Sequence, residues 1–206
     1  MRKSTIISFA PFFLLAMASP LAYSGPITFQ FTGSVNSVFS DPGDPFNGGI
    51  GFGTPFSGTY TFDVTPNLIG GTTSGSYQIS GAPYGLTVNI GGFSFSNYGS
   101  LAINTLNSST DQYGVLACEA SCNSGLVIEL AFQDSTGTAF AGNALPLTPP
   151  ITTGFQINSF TLTHDSYLSA YQLEINGNVT SLTAPEPGTL LLVATCLAAA
   201  GLRRRR

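Results

Sequence analysis

The sequence predicts an all-β fold for most of the chain, an antiparallel two-sheet β-sandwich of the jelly-roll kind. Apolar and polar residues alternate in many short runs, and a period of two is typical of strands with one buried face. Glycine, proline, asparagine and serine interrupt these runs, as turns between strands require. The pattern covers residues 25–184. That length, about 160 residues, is enough for one domain with its own hydrophobic core.

Several strands can be placed from this alternation. Leu86, Val88 and Ile90 alternate with polar residues, Gly91-Gly92 follows, and the alternation resumes at Phe93. Two such runs joined by two glycines predict a tight β-hairpin. Similar runs cover residues 59–64, 126–133 and 171–176. We expect eight or nine strands in all, and no amphipathic helix between residues 25 and 184.

In two places the alternation changes phase. Ile27 to Val35 place their apolar side chains on one face, whereas Val38 falls on the other. In a regular strand, Phe155 and Ile157 would lie on one face, and Phe160 and Leu162 would lie on the other. Because a shift of one residue turns the following side chains outward, a β-bulge is needed to keep both groups inside. We therefore predict a bulge at Asn158-Ser159.

The N-terminus has the layout of a secretory signal peptide. Arg2 and Lys3 form a positive region, residues 6–17 are apolar, and Ala22-Tyr23-Ser24 offers small residues at the cleavage positions. We assign residues 1–24 to the signal peptide with its helix, so that the mature chain begins at Gly25. Cleavage near Ala18 is the alternative and would change little.

The C-terminus, residues 185–206, consists of three segments in a fixed order. Pro185-Glu186-Pro187 comes first, an uncharged apolar run spans residues 188–202, and the chain ends with Arg203, Arg204, Arg205 and Arg206. An apolar run is stable in a bilayer as a helix, and arginines stay on the cytoplasmic side. The run is fifteen residues long, which falls short of the ~17–25 of a full span. We predict a transmembrane helix; the alternative is a buried helix with a basic tail.

This three-part tail resembles the PEP-CTERM protein-sorting domain of Gram-negative bacteria. The resemblance rests on Pro185, Glu186, Pro187 and Gly188, the apolar run, Gly201 and the four arginines, so it covers about the last twenty-two residues. It implies export across the inner membrane, anchoring there by the tail, and recognition near Pro-Glu-Pro by an exosortase, a membrane transpeptidase-like cysteine protease. Family members tend to occur in bacteria that make exopolysaccharide and live in biofilms or flocs.

The charges between the two targeting segments are all negative. Residues 25–184 contain nine acidic residues and no lysine or arginine, which gives a net charge of −9. Nucleic acid would be repelled, and so would acidic polysaccharides in the absence of a bridging cation. The composition therefore excludes nucleic acid as a partner and leaves a neutral extracellular polysaccharide as a possible one.

Cys118 and Cys122 lie four positions apart in a segment that we expect to be exported. An oxidising compartment favours a disulfide between them, which would fix a turn between two strands. Free thiols and a metal site are the alternatives. The metal site is disfavoured because the chain has a single histidine and too few further ligands.

Catalytic chemistry has little support in the sequence. His164-Asp165-Ser166 contains triad residue types, but neighbours on a strand point to opposite faces and pair poorly. We interpret these residues as the polar end of a strand. Asp41, Asp44 and Asn47 form a weak calcium candidate, although the same residues are ordinary turn formers. We expect no cofactor and no enzymatic activity.

The sequence leaves two functional classes open. The first is an exported, C-terminally sorted cell-surface or matrix protein with a structural or adhesive β-domain, held temporarily in the inner membrane. The second is a carbohydrate-binding module or weak glycosidase that acts on neutral polysaccharide. Neutral sugars are the substrate class that is easiest to accommodate, since no arginine or lysine is available to stabilise an anion.

Overall fold

A computed structural model describes residues 25–41, 48–119, 125–165 and 172–185. This part of the chain forms eleven β-strands and one turn of 3-10 helix at Thr152–Gly154, with no α-helix. The strands are β1 Ile27–Ser40, β2 Pro55–Phe62, β3 Asn67–Gly70, β4 Ser74–Ser80, β5 Gly85–Ile90, β6 Phe93–Asn97, β7 Ser100–Leu106, β8 Asp111–Cys118, β9 Gly125–Asp134, β10 Ile157–Asp165 and β11 Gln172–Thr183.

All eleven strands belong to one sheet. Their order is β3-β4-β7-β8-β9-β10-β11-β1-β2-β5-β6, and the paired neighbours are antiparallel. The predicted all-β antiparallel class is confirmed. The predicted division into two sheets is not found, because β10, β11, β1 and β2 are hydrogen-bonded in unbroken succession.

The sheet curls over itself and encloses one core. Tyr60 on β2 contacts Tyr113 on β8, and the Asn97 side chain on β6 donates a hydrogen bond to the Leu126 carbonyl oxygen on β9. Both pairs join strands that are far apart in the sheet order. The curl thus produces two layers without breaking the sheet, which is why the sequence pattern resembles that of a sandwich.

The pairing between β1 and β11, two interior strands of the sheet, is irregular. The register shifts between Thr32 and Gly33 and again between Val35 and Ser37. Bulges increase the local twist and bend the strand that carries them. The second shift explains the phase change between Val35 and Val38.

The predicted bulge at Asn158-Ser159 is wrong. Residues from Ile157 to Asp165 pair with β9 one for one, from Ile157 opposite Gln133 to Asp165 opposite Gly125. Phe155 is buried but precedes the strand, immediately after the 3-10 turn, and Ile157 is 49% exposed on the outer face. The change of phase therefore occurs before β10 begins and requires no extra residue within it.

The predicted β-hairpin is confirmed. β5 and β6 pair with Ile90 opposite Phe93, which leaves Gly91-Gly92 as a two-residue turn. Both glycines have positive φ, +57° and +89°, as a type I′ turn needs. Leu86, Val88 and Ile90 are all buried, as their alternation predicts.

The alternating runs on β9 and β11 also place their described apolar residues in the core. Leu126, Ile128, Leu130 and Phe132 are buried on β9, and Leu173 and Ile175 are buried on β11. No helix within the described ranges is long and apolar enough to cross a membrane. The predicted signal helix in residues 1–24 and the apolar helix of residues 188–202 lie outside those ranges.

Candidate functional site

A groove of about 560 Å³ crosses the outer face of the sheet from β4 to β10. Its floor is a row of five residues, one on each strand, in which each residue is the cross-strand partner of its neighbour in the row. The row is Ser76, Asn104, Gly114, Ala131 and Ser159. The residues that flank these positions on each strand, such as Tyr113 and Phe132, belong to the buried core. The groove is thus separated from the core by a single sheet layer.

Gly114 opens the middle of this floor. A Cβ atom built there would lie 3.8 Å from the Asn104 Cβ and 3.9 Å from the Leu130 carbonyl oxygen, which are ordinary contacts. Gly114 is also not among the glycines with positive φ. By contrast, a Cβ on Gly58 would overlap the Phe31 ring and the Thr87 carbonyl oxygen. Sterics therefore require glycine at position 58 but not at position 114, where its absent side chain leaves room.

Polar side chains form the two sides of the groove. Gln112 and Gln133 are direct cross-strand partners one row away from the floor, and Glu129 lies on the opposite side. Within the described part of the chain, none of the side chains of Asn104, Gln112, Glu129 and Gln133 makes a hydrogen bond. Elsewhere on the outer face, polar side chains bond to each other, as Thr28 does to Thr61 at 2.9 Å and Thr161 to Asn176 at 3.1 Å.

Apolar side chains lie at the ends of the groove. Ile69 on the edge strand β3 is opposite Ser76 and is 57% exposed. Ile157 on β10 is opposite Gln133, and Leu106 lines the groove between them. The groove therefore combines three amides and one carboxylate, whose side chains make no hydrogen bond in the described part of the chain, with small apolar surfaces.

Two aspartates that the sequence analysis did not select are fully buried beside this region. Asp111 and Asp134 are cross-strand partners on β8 and β9, each 0% exposed. Asp134 accepts hydrogen bonds from the backbone and hydroxyl groups of Thr136 and Thr138, from Ala139 N and from Gln156 Nε2. These bonds, above all those from Thr136, hold the pKa of Asp134 well below its ordinary value.

The role of this pair is to organise a loop. Asp111 Oδ2 accepts a hydrogen bond of 2.8 Å from Phe140 N, and the Phe140 ring packs against Tyr113 and Phe155. The carboxylates thus fix residues 134–140 over one end of the core. The spacing Asp-x-Thr-x-Thr from Asp134 to Thr138 is the sequence signal that would have indicated such a turn.

His164 lies near the end of β10, opposite Leu126 on β9 and Leu173 on β11, and is half-buried. It has the same parity as Phe160 and Leu162, which face the core. β10 ends at Asp165, and Ser166 lies outside the described residues. This placement agrees with the interpretation of His164-Asp165 as a strand end.

The predicted calcium and disulfide residues are only partly described. Asp41 Oδ2 accepts a hydrogen bond of 2.8 Å from Gln172 N, whereas Asp44 and Asn47 lie outside the described ranges. Among the described residues, no group of three or more potential metal ligands occurs. Cys118 is buried at the end of β8, and Cys122 is outside the described ranges, so their disulfide stays a prediction.

The sorting residues follow directly after the sheet. β11 ends at Thr183, and Pro185 is the last described residue, so Glu186, Pro187, Gly188 and Arg203–Arg206 lie outside the described ranges. Residues 183–206 match the PEP-CTERM protein-sorting motif, which confirms the resemblance noted in the sequence. The motif thus begins at the last residue of the sheet and supports export and exosortase-dependent sorting to the cell envelope.

The match is confined to this terminal segment. No curated protein and no solved structure shows significant similarity to the chain. The role of the β-domain must therefore be argued from its own surface.

Proposed function

We propose that this chain is a cell-surface or extracellular-matrix protein of an exopolysaccharide- and biofilm-forming Gram-negative bacterium. An exosortase recognises and processes its tail, and the β-domain has a structural or adhesive role. The observation that carries this proposal is the sorting motif at residues 183–206, which begins where β11 ends. A domain followed without a linker by a sorting signal is suited to display at the outer side of a membrane.

The tail acts as a temporary hold in the inner membrane. Four arginines retain the C-terminus in the cytoplasm, and the apolar run of residues 188–202 enters the bilayer. A run of fifteen residues needs arginine snorkelling or bilayer thinning to span the hydrocarbon core. Processing near Pro185-Glu186-Pro187 then frees the domain from this anchor.

A non-enzymatic role fits the chemistry of the domain. Residues 25–184 carry no lysine or arginine to stabilise an anionic intermediate. Asp134 already accepts hydrogen bonds from four residues, which commits it to the loop that it organises. The polar surface of the sheet is then available for contacts with other matrix components.

The second candidate is binding of neutral carbohydrate, which the groove on the outer face favours. Hydrolysis has less support, because glycosidases use a pair of carboxylates. Among the described residues that line the groove, Glu129 is the one carboxylate. We therefore retain carbohydrate binding and not turnover as the alternative.

Cell fractionation of two variants tests the sorting proposal. Deletion of residues 185–206 removes anchor and motif together, so we expect the protein in the periplasm or medium. Replacement of Pro185, Glu186 and Pro187 by alanine keeps the anchor, so we expect an unprocessed chain in the inner membrane. Retention of the deletion variant in the inner membrane would contradict the anchor, and normal processing of the alanine variant would contradict recognition of the motif.

A further inference from the structure

We infer that the groove across β4, β7, β8, β9 and β10 is a binding site for a segment of a neutral polysaccharide chain. This inference rests on the proposed surface or matrix location and develops the second candidate function, carbohydrate binding, by giving it a defined site and ligand class. It depends on three features of the groove: its shape, the state of its polar groups, and its charge.

The shape fits an extended chain and not a single sugar. Neighbouring strands lie about 4.8 Å apart, so four intervals from β4 to β10 give the floor a length of about 19 Å. The rows on either side of the floor lie two residues away along each strand, about 7 Å. Small residues, Gly114 and Ala131, keep the middle of the floor low between these rows.

Gly114 is the residue that keeps the floor open. Glycine within a strand weakens the strand and often marks a place where a ligand approaches the backbone. Neither φ nor a neighbouring atom requires glycine here, in contrast to Gly58. The access that its missing side chain gives to the groove accounts for glycine at this position.

The polar groups of the groove are free to bind. Asn104, Gln112 and Gln133 are amides that both donate and accept, and Glu129 accepts, a combination that matches the donor and acceptor character of sugar hydroxyls. In the described part of the chain these four side chains make no intramolecular hydrogen bond, although nearby outer-face residues such as Thr161 and Asn176 are paired. A ligand therefore does not have to displace existing side-chain bonds.

The charge selects a neutral ligand over an anionic one. Glu129 lies in the groove, and residues 25–184 contain no lysine or arginine to bind a uronate, sulfate or phosphate group. Repulsion between like charges disfavours acidic polysaccharides. An extended peptide is also less suited, since peptides that bind sheets usually add to an edge strand and not across a face.

The test is oligosaccharide binding by the full chain, purified in a polyoxyethylene detergent whose head group contains no sugar. The probes are neutral gluco-, manno- and galacto-oligosaccharides, with uronate oligomers and neutral peptides as the competing classes. We expect saturable binding to at least one neutral oligosaccharide, measured on a glycan array and then by calorimetry. Binding of none of them, or a preference for uronates or peptides, would overturn the inference.

Two sets of variants localise the binding. Gly114→Tyr fills the floor and should abolish binding, whereas Ser94→Tyr places the same side chain on the exposed face of β6 and should not change it. Gln112→Ala and Gln133→Ala should each weaken binding roughly threefold to tenfold, the value of one hydrogen bond. Gln172→Ala removes an exposed amide at the start of β11, a strand that does not line the groove, and should have no effect.

These measurements remain informative if Gly114→Tyr fails to fold, because the glutamine variants test the same surface with smaller changes. Wild-type affinity in both glutamine variants, or in a folded Gly114→Tyr variant, would refute the location of the site. The assay uses purified protein, so a negative result leaves the sorting proposal standing. Conversely, failure of the fractionation experiment would leave an observed binding constant unaffected.

Discussion

The hydroxyl groups of Tyr60 and Tyr113 lie 2.9 Å apart in the core and form a hydrogen bond between β2 and β8. Both residues are almost fully buried, and four strands separate β2 from β8 in the order of the sheet. This bond therefore connects the two layers that the curl brings together. Burial, together with the neighbouring phenol in the case of Tyr60, raises the pKa of both hydroxyls well above the ordinary value.

Removal of one hydroxyl of this pair should destabilise the domain more than removal of both. Tyr60→Phe or Tyr113→Phe leaves the other hydroxyl buried without a partner, which costs about 1–3 kcal/mol. The double variant leaves no unpaired hydroxyl, so its free energy of unfolding should lie closer to that of wild type than the free energy of either single variant does. Urea denaturation of the four proteins measures this double-mutant cycle.

Tyr98→Phe is the matched control for this cycle. The Tyr98 hydroxyl bonds to Thr87 at 3.1 Å, but the residue is 50% exposed and water can replace the lost partner. We expect a change within about 0.5 kcal/mol. Strictly additive losses in the double variant would show that the two hydroxyls are not coupled.

The same pair should make the domain sensitive to alkaline pH. In the unfolded chain the two tyrosines ionise near their ordinary pKa of about 10, whereas burial keeps them protonated in the folded state. Their contribution to stability is complete below about pH 10 and decreases as the pH rises further. The Tyr60→Phe/Tyr113→Phe variant should lose stability less steeply in this range, and equal slopes in unfolding experiments would contradict this.

Substitution of glycine should have opposite effects at two strand positions. Gly58→Ala forces a Cβ into the Phe31 ring and the Thr87 carbonyl oxygen, so we expect a loss of about 1–3 kcal/mol. Gly114→Ala meets only ordinary contacts and should stabilise the strand by about 0.5–1 kcal/mol. Thermal and urea unfolding of the two variants, compared with wild type, measure the difference, and a destabilised Gly114→Ala would count against an open floor.

Asp134 should make stability depend on acidic pH. Hydrogen bonds from Thr136 and Thr138 stabilise its charged form and lower its pKa well below the ordinary value of an aspartate. The resulting stability is present above about pH 4 and is lost as the pH falls through the lowered pKa. Asp134→Asn should lower the urea concentration at the unfolding midpoint at neutral pH. It should also make stability decrease less steeply as the pH falls below about 4.

Thr138→Val is the control for the Asp134 variant. It removes one hydroxyl donor at 3.3 Å but keeps the backbone hydrogen bond from residue 138 at 2.8 Å. We therefore expect a small change in the urea midpoint and the same decrease of stability at acidic pH as in wild type. If stability decreased equally at acidic pH in Asp134→Asn and in wild type, the Asp134 carboxylate would not contribute to the pH dependence of stability.

Single strands and tight turns are predictable because the residues that determine them lie within a few positions of each other in the sequence. Leu86, Val88 and Ile90 are buried where their period of two places them, and Gly91-Gly92 forms the turn. The pairing of β1 with β11 joins residues about 150 positions apart, such as Gln30 with Thr183, and no local pattern encodes it. That pairing is what makes one sheet out of the two that the sequence predicts.

The bulge prediction failed for a related reason. Ile157 is apolar, and hydrophobicity alone assigns it to the core, yet it lies at the end of a surface groove with 49% of its area exposed. The groove itself was also missed, because its row from Ser76 to Ser159 draws on five strands and depends on their registers. The sequence feature that could have indicated the groove was Gly114, a glycine at an outward-facing strand position between Tyr113 and Val115.

The position of β11 constrains the order in which the domain can be completed during export. β11 pairs with β1 on one side and β10 on the other, so its residues join the first strand of the domain to the last hairpin. A chain that has emerged only as far as β10 leaves two long unpaired edges, and such edges are prone to associate with other chains. Non-local pairing of this kind is also slow to form. The sheet is therefore complete only when the chain up to Thr183 is available for pairing, and the residues that follow are those of the sorting motif.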